Sequence, residues 1–129
     1  MEEGKVMNEK EERGKDLKVR TKSFALRIIK LYSALPRSTE AQVIGKQILR
    51  SGTSVGAQYR EACRARSDAE FVSKLESSLQ ELEETMYWLE LLVESQIFPA
   101  QKIQSLHEEA EQLMAILVTS IKTVKGKRK

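Results

Sequence analysis

Sulfur chemistry has almost no foothold in this sequence, because Cys63 is its only cysteine. That excludes an intramolecular disulfide and a cysteine-based zinc site, and leaves Cys63 either a small, partly buried helix residue or a reactive thiol. Proline and glycine are also scarce, at two and six in 129 residues, and aromatic side chains make up 5%. Such a composition disfavours sandwiches and barrels and favours helices. The most apolar segment, Met86 to Val93, is broken by Glu90 and is far too short to span a bilayer. No apolar run follows a basic start, so no signal peptide is expected. These absences lead us to expect one soluble, cytoplasmic domain with a real core and no membrane partner.

Charge is plentiful and unevenly placed. Between Arg20 and Arg66 stand ten Lys/Arg and two acids, whereas Ser67 to Ile121 holds two Lys and eleven acids. The last eight residues add five cations. The net charge of +3 hides a basic first half and an acidic second half. Segregation of this kind suggests electrostatic mating within the domain, between copies, or with a polyanion.

The longest regular feature runs from Asp68 to Glu94. Val72, Leu79, Met86 and Val93 recur every seventh residue, with Leu75, Leu82 and Leu89 between them, so one apolar stripe persists for about seven turns. A helix of that length needs partners of similar length. Three more helices are expected. The first covers Leu17 to Leu35, with Phe24, Ile28, Leu31 and Leu35 on one stripe and Pro36 as its stop. Ser38 caps the second, Thr39 to Ala65, which carries Ile44, Ile48, Val55, Tyr59 and Ala62. Gly45, Gly52 and Gly56 in its middle suggest close approach of a neighbour or a kink near Gly52. Ser67 with Glu70 forms a capping box for the third helix. Pro99 fits the first turn of the fourth, whose heptad is Ile103, Ala110, Leu117 and Val124 with Leu106 and Leu113, and Gly126 ends it. Residues 1–16 read as a disordered, mixed-charge segment, 17–125 as the domain, and 126–129 as a basic tail. Short connections between four long amphipathic helices give an all-α, up-down-up-down four-helix bundle.

Catalytic chemistry finds little material. His107, the sole histidine, falls on the polar side of the fourth helix as exposed filler, and di-iron bundles need two Glu-x-x-His pairs. No nucleophile–base set, phosphate loop, cofactor or metal site can be assembled. The Glu81, Glu83 and Glu84 cluster reads as solvated or Arg-paired. One polar feature is sharper. Gln47, Arg50, Ser54, Gln58 and Glu61 form a second stripe on the second helix. It is either a solvated face or a buried layer, with Arg50 and Gln58 meeting Glu81, Glu84 and Thr85. Small Gly and Ser neighbours favour burial, with Arg50 needing a carboxylate partner.

The stretch from Gln47 to Leu92 resembles a known family. Arg50-Ser51-Gly52-Thr53-Ser54-Val55-Gly56-Ala57, Glu61-Ala62, Phe71-x3-Leu75 and Glu84-Thr85-x-Tyr87-Trp88-Leu89 are similar to the bacterial four helix bundle proteins. That family's founding members are encoded in intervening sequences of large-subunit ribosomal RNA genes. The likeness covers roughly residues 17–124, and many relatives carry Asn where this chain has Gln58. It implies a left-handed four-helix bundle assembled as a homopentameric ring. A related family, the accessory proteins of diversity-generating retroelements, forms pentameric barrels that bind a reverse transcriptase and nucleic acid. A ring needs two different patches that meet head to tail, and the basic and acidic halves could supply them. The same charges could equally pair within one bundle.

Two functions follow as expectations. The first is a non-enzymatic, self-assembling scaffold that binds RNA or DNA through Lys46, Arg60, Arg64 and the terminal Lys125, Lys127, Arg128 and Lys129. The second is an adaptor for a protein such as a reverse transcriptase, docking through apolar side chains at Tyr87, Trp88 and Leu91. A hydrolase acting on RNA is set aside because no catalytic set is visible.

Overall fold

A computed structural model describes the backbone of residues 9–127 and the side chains of residues 16–127. Its four helices are α1 (Glu9–Ala34), α2 (Thr39–Cys63), α3 (Asp68–Glu94) and α4 (Ala100–Lys127). α1 packs on α2, α2 on α3 and α3 on α4, and α4 returns to touch α1. The four therefore close an up-down-up-down bundle in which neighbours run antiparallel.

Local chemistry sets the ends. Ser38 Oγ accepts from the Ala41 N–H at 3.3 Å, and Ser67 Oγ accepts from the Glu70 N–H at 3.1 Å, so each satisfies an orphan donor. The Glu70 carboxylate returns to the Arg66 N–H at 3.1 Å, one residue before the expected cap. α3 ends in a Schellman motif, with Gln96 N–H bonded to the Val93 carbonyl and Ile97 N–H to that of Leu92, both at 3.0 Å. Gln96 sits there at φ 64°, the left-handed position usually given to glycine.

Two boundaries differ from expectation. α1 begins at Glu9 rather than near Leu17, consistent with the strong helix propensity of Glu, Lys and Arg. Residues 1–8 of the expected disordered segment lie outside the described residues. α4 continues through Gly126 to Lys127, so Lys125 and Lys127 are helical and not part of a loose tail. An added Cβ at Gly126 would meet nothing within 4 Å, and a helix tolerates one exposed glycine at modest cost. Arg128 and Lys129 lie outside the described residues.

The core runs the length of the bundle. Phe24, Ile28, Ile48, Leu75, Leu82, Leu89, Leu113 and Leu117 are fully buried, each contributing about 1.5–3 kcal/mol of transfer free energy. α3 is turned relative to its sequence stripe. Leu79, Met86 and Val93 are only half-buried, while Ser78, Thr85 and Leu92, which lie beside that stripe, are completely enclosed. The cause is α2, whose Ser51 allows a close approach. Thr85 Oγ1 lies 2.8 Å from Ser51 Oγ, and Ser78 Oγ donates to the Val55 carbonyl at 2.7 Å. The α2 glycines serve the other side. A Cβ added at Gly45 would lie 2.6 Å from Leu35 Cδ1, and one at Gly52 would lie 2.7 Å from Ile28 Cγ1. α2 itself runs unbroken, so the glycines permit close approach of α1 rather than a break.

Candidate functional site

The α2–α3 polar stripe forms on the outside of the bundle. Arg50 Nη1 donates to Glu81 Oε1 at 3.1 Å, and Nη2 donates to Glu84. Arg50 is 49% exposed, with Glu81 at 22% and Glu84 at 38%. The expected carboxylate partners of Arg50 therefore meet it, but the layer is split: Thr85 is enclosed and Gln58 half-buried, whereas α2 and α3 close on Ser51, Ser78 and Thr85 and leave Arg50 outside that seam. Trp88 Nε1 also donates to Glu84, at 3.0 Å. The indole and then the guanidinium hold the Glu84 carboxyl below the usual carboxylate range. The Glu84 hydrogen bond in turn raises Arg50. Glu61 pairs with Lys74 at 2.6 Å, and Ser54 donates to the carbonyl of Arg50 in its own helix. Gln58 Oε1 is enclosed without a hydrogen-bond partner among the described residues. It does not bond to Thr85, whose hydroxyl is taken by Ser51 and the Glu81 carbonyl.

Lys46, Arg60 and Arg64 are exposed on the side of α2 that borders α1. The antiparallel register, with Gly56 against Thr21 and Gly52 against Ile28, places Arg60 across from exposed Lys18. None of these four forms an ion pair among the described residues. Among the residues whose side chains are described, the acids of the same two helices lie elsewhere. Asp16 faces Arg20 at 3.6 Å, Glu61 faces Lys74, and Glu40 occupies the first turn of α2. Lys125 stands apart from this set, paired with Glu76 at 3.2 Å on the α3–α4 side. The structure thus places Lys46, Arg60 and Arg64 on one side of α2, with Lys46 roughly 21 Å along the axis from Arg60, and turns Lys125 to the α3–α4 side.

Tyr87 is 54% exposed and meets the Trp88 ring edge-on, with centroids 5.1 Å apart. Trp88 and Leu91 are half-buried, and Val43, missed in the sequence, is exposed beside them in the α2–α3 register. Cys63 is exposed at the end of α2 rather than partly buried. His107 is not idle filler. Its Nε2 lies 3.0 Å from Glu90 and its Nδ1 3.9 Å from Glu111, so both ring nitrogens face carboxylates. Arg20, which no sequence pattern singles out, clamps α1 to α4 by donating Nε and Nη2 to the Glu109 carboxylate at 3.1 and 2.8 Å. That hydrogen bond is the main cause of a raised Arg20 pKa. No group of three or more His, Cys, Asp or Glu side chains among the described residues could hold a metal ion. Among those residues no helix is long and apolar enough to cross a membrane.

Fold and surface together define an all-α four-helix bundle whose chemistry lies in segregated surface charge. The chain belongs to the 23S rRNA-intervening sequence protein family, which it matches over residues 15–119. Its fold is similar to the crystal structure of a protein of unknown function from the S23 ribosomal protein family of Bacteroides thetaiotaomicron. The two share 39% identity at a TM-score of 0.80, covering 84% of this chain and 97% of that one. No curated protein matches the chain.

Proposed function

We propose that this protein is a non-enzymatic, cytoplasmic, self-assembling bundle that binds RNA, or another nucleic acid, through the α1–α2 face. The observation that carries this reading is the set Lys18, Lys46, Arg60 and Arg64, four exposed cations with no carboxylate partner among the described residues. Arg20, Arg50, Lys74 and Lys125 are each neutralised by a carboxylate, whereas exposed Lys22, Lys30, Arg37 and Arg66 of the same basic half likewise have no carboxylate partner among the described residues. Unpaired cations on one face are the footprint of phosphate binding. The family description refers to 23S rRNA, which supports RNA as the first probe. The resemblance supports a homopentamer.

The test is fluorescence anisotropy with a labelled ribosomal RNA duplex, titrated with salt. Replacing Lys46, Arg60 and Arg64 together with Ser should weaken binding and lower the slope of log K against log salt by about 2–3. Affinity no better than for heparin, and lost at physiological salt, refutes specific binding. Light scattering at low and high salt tests assembly, since a monomer at both refutes self-association. The adaptor reading draws support from exposed Tyr87 and Val43, and a pulldown that returns only this protein counts against it.

A further inference from the structure

Two unpartnered surfaces of the bundle match each other. On α1, Val19, Leu26 and Ile29 are 64%, 58% and 45% exposed. They recur at i, i+7 and i+10, the spacing of apolar anchors on a helix that lies in a groove. Lys22 and Lys30, both exposed, stand one turn before and one turn after Leu26. No acidic residue occurs between Leu17 and Thr39. The result is an apolar ridge flanked by cations and pointing away from its own bundle.

The second surface is the trough between α3 and α4 near their connection, with a volume of about 370 Å³. Val93 and Ile103 form its apolar floor; Glu94 and Glu108 line its rim, together with Glu90 and Glu111, which face His107 inside the trough. Tyr87 lies one turn before Glu90 on the same side of α3. From Val19 to Ile29 the ridge is about 15 Å long, and from Ala100 to Glu111 the trough is about 17 Å long. Length, apolar content and charge sign therefore agree. The rim carboxylates would repel nucleic acid or an anionic lipid surface, and an apolar ridge is a poor match for phosphate.

We infer that the α3–α4 trough of one copy receives the outer ridge of α1 from a second copy. The inference rests on the self-assembly reading above and assigns the surfaces that mate. Each copy then presents one ridge and one trough. The contact is heterologous and propagates head to tail until the ring closes. Lys22 and Lys30 meet the rim carboxylates, and Val19, Leu26 and Ile29 meet Val93 and Ile103. The α2 cations Lys46, Arg60 and Arg64 stay outside the contact.

Charge exchange tests this. Variant A carries Lys22→Glu with Lys30→Glu, and variant B carries Glu94→Lys with Glu108→Lys. All four positions are exposed, and circular dichroism checks that both variants remain helical. Light scattering should show a multimer for the parent and a monomer for each variant alone. An equimolar mixture of A and B should re-associate into alternating chains or even-numbered rings, because the acidic ridge of A fits the basic trough of B and the unaltered pair still fits, whereas a five-membered ring cannot alternate. Leu26→Ser should also reduce the mass without lowering the melting temperature. A parent that is itself monomeric overturns both this inference and self-assembly. A multimeric parent with A and B also multimeric, or with a mixture that stays monomeric, overturns this pairing alone.

Discussion

Replacing Gly52 with Ala would stabilise most helices, because alanine exceeds glycine in helix propensity by about 1 kcal/mol. Here we expect the opposite sign. The new methyl would lie 2.7 Å from Ile28 Cγ1, 2.9 Å from Cγ2 and 3.0 Å from Cδ1. Carbon atoms pack best at about 3.5–4.0 Å, so three contacts are too close at once. Ile28 is fully buried and β-branched, so it cannot turn away by a small rotation. α1 must shift or Ile28 must leave its rotamer, and overpacking of this kind costs roughly 1–3 kcal/mol, with three simultaneous contacts placing it at the upper end. After the propensity gain, the net destabilisation should be about 1–2 kcal/mol. For 129 residues each kcal/mol moves the melting temperature by about 4 °C, so the midpoint should fall by about 4–8 °C. A double-mutant cycle sharpens the point. Ile28→Ala alone should cost about 2–5 kcal/mol through its cavity, but the methyl introduced by Gly52→Ala would partly fill that space. The double variant should be more stable than the sum of the singles by roughly 1 kcal/mol or more. A single variant that melts higher than the parent, or a cycle that is additive, refutes the view that Gly52 exists to seat Ile28.

Arg50→Ala should cost about 1 kcal/mol or less by chemical denaturation, because the pair is half exposed rather than buried, and a loss of several kcal/mol would contradict that exposure. Gln96→Gly should raise stability by roughly 0.5–1 kcal/mol, since glycine accepts φ 64° without the Cβ penalty, and an unchanged urea midpoint would argue against strain there. Glu84 is held below the usual carboxylate range, so its contribution is present above about pH 4.3 and is lost as pH falls through the folded value. Glu84→Gln should therefore be less stable than the parent at pH 7, with the gap closing in acid. A gap that stays constant from pH 7 to pH 2 would show that the carboxylate charge is not what matters.

Much of the fold was legible because it rests on local signals. Pro36, Ser38 and Ser67 mark their boundaries by backbone chemistry that needs no tertiary knowledge. The glycines of α2 suggested a close approach or a kink, and the partner that decides for close approach is α1. What escaped was rotation. In α3 the heptad residues Leu79, Met86 and Val93 and the adjacent set Ser78, Thr85 and Leu92 differ by a fraction of a turn. Which set is buried depends on what α2 presents across the interface, Ser51 to Thr85 and the Val55 carbonyl to Ser78. The same turn explains Arg50. Its carboxylate partners could be named from spacing, but its exposure depended on how closely α2 and α3 meet. His107 and Arg20 were missed for a related reason, since each is paired across a helix interface whose register the sequence does not print. On the surface, the sequence singled out Lys46, Arg60 and Arg64, and the fold alone showed that Lys18 stands across from Arg60.

Side-chain size also accounts for where the bundle is open. Between α1 and α2 the contact residues include Gly45, Gly52 and Gly56, and between α2 and α3 they include Ser51, Ser78 and Thr85. Small residues let those helices approach until hydroxyls reach backbone carbonyls. The α3–α4 contact has no glycine, and its margin is built from Leu79, Met86, Val93 and Met114, all half-buried. Bulky side chains hold helix axes apart at the wider end of the roughly 8–10 Å range. A trough follows there, and Glu90, Glu94, Glu108 and Glu111 line it because the acidic half of the sequence is the half that forms α3 and α4. The basic half forms α1 and α2, so its cations come together on faces away from those carboxylates. Charge segregation along the chain thus becomes segregation around the bundle. Part of that opposite charge is paired inside one bundle, as in Arg20–Glu109 and Arg50–Glu84, and what stays unpaired leaves a cationic and an acidic side each open to a surface of the opposite sign.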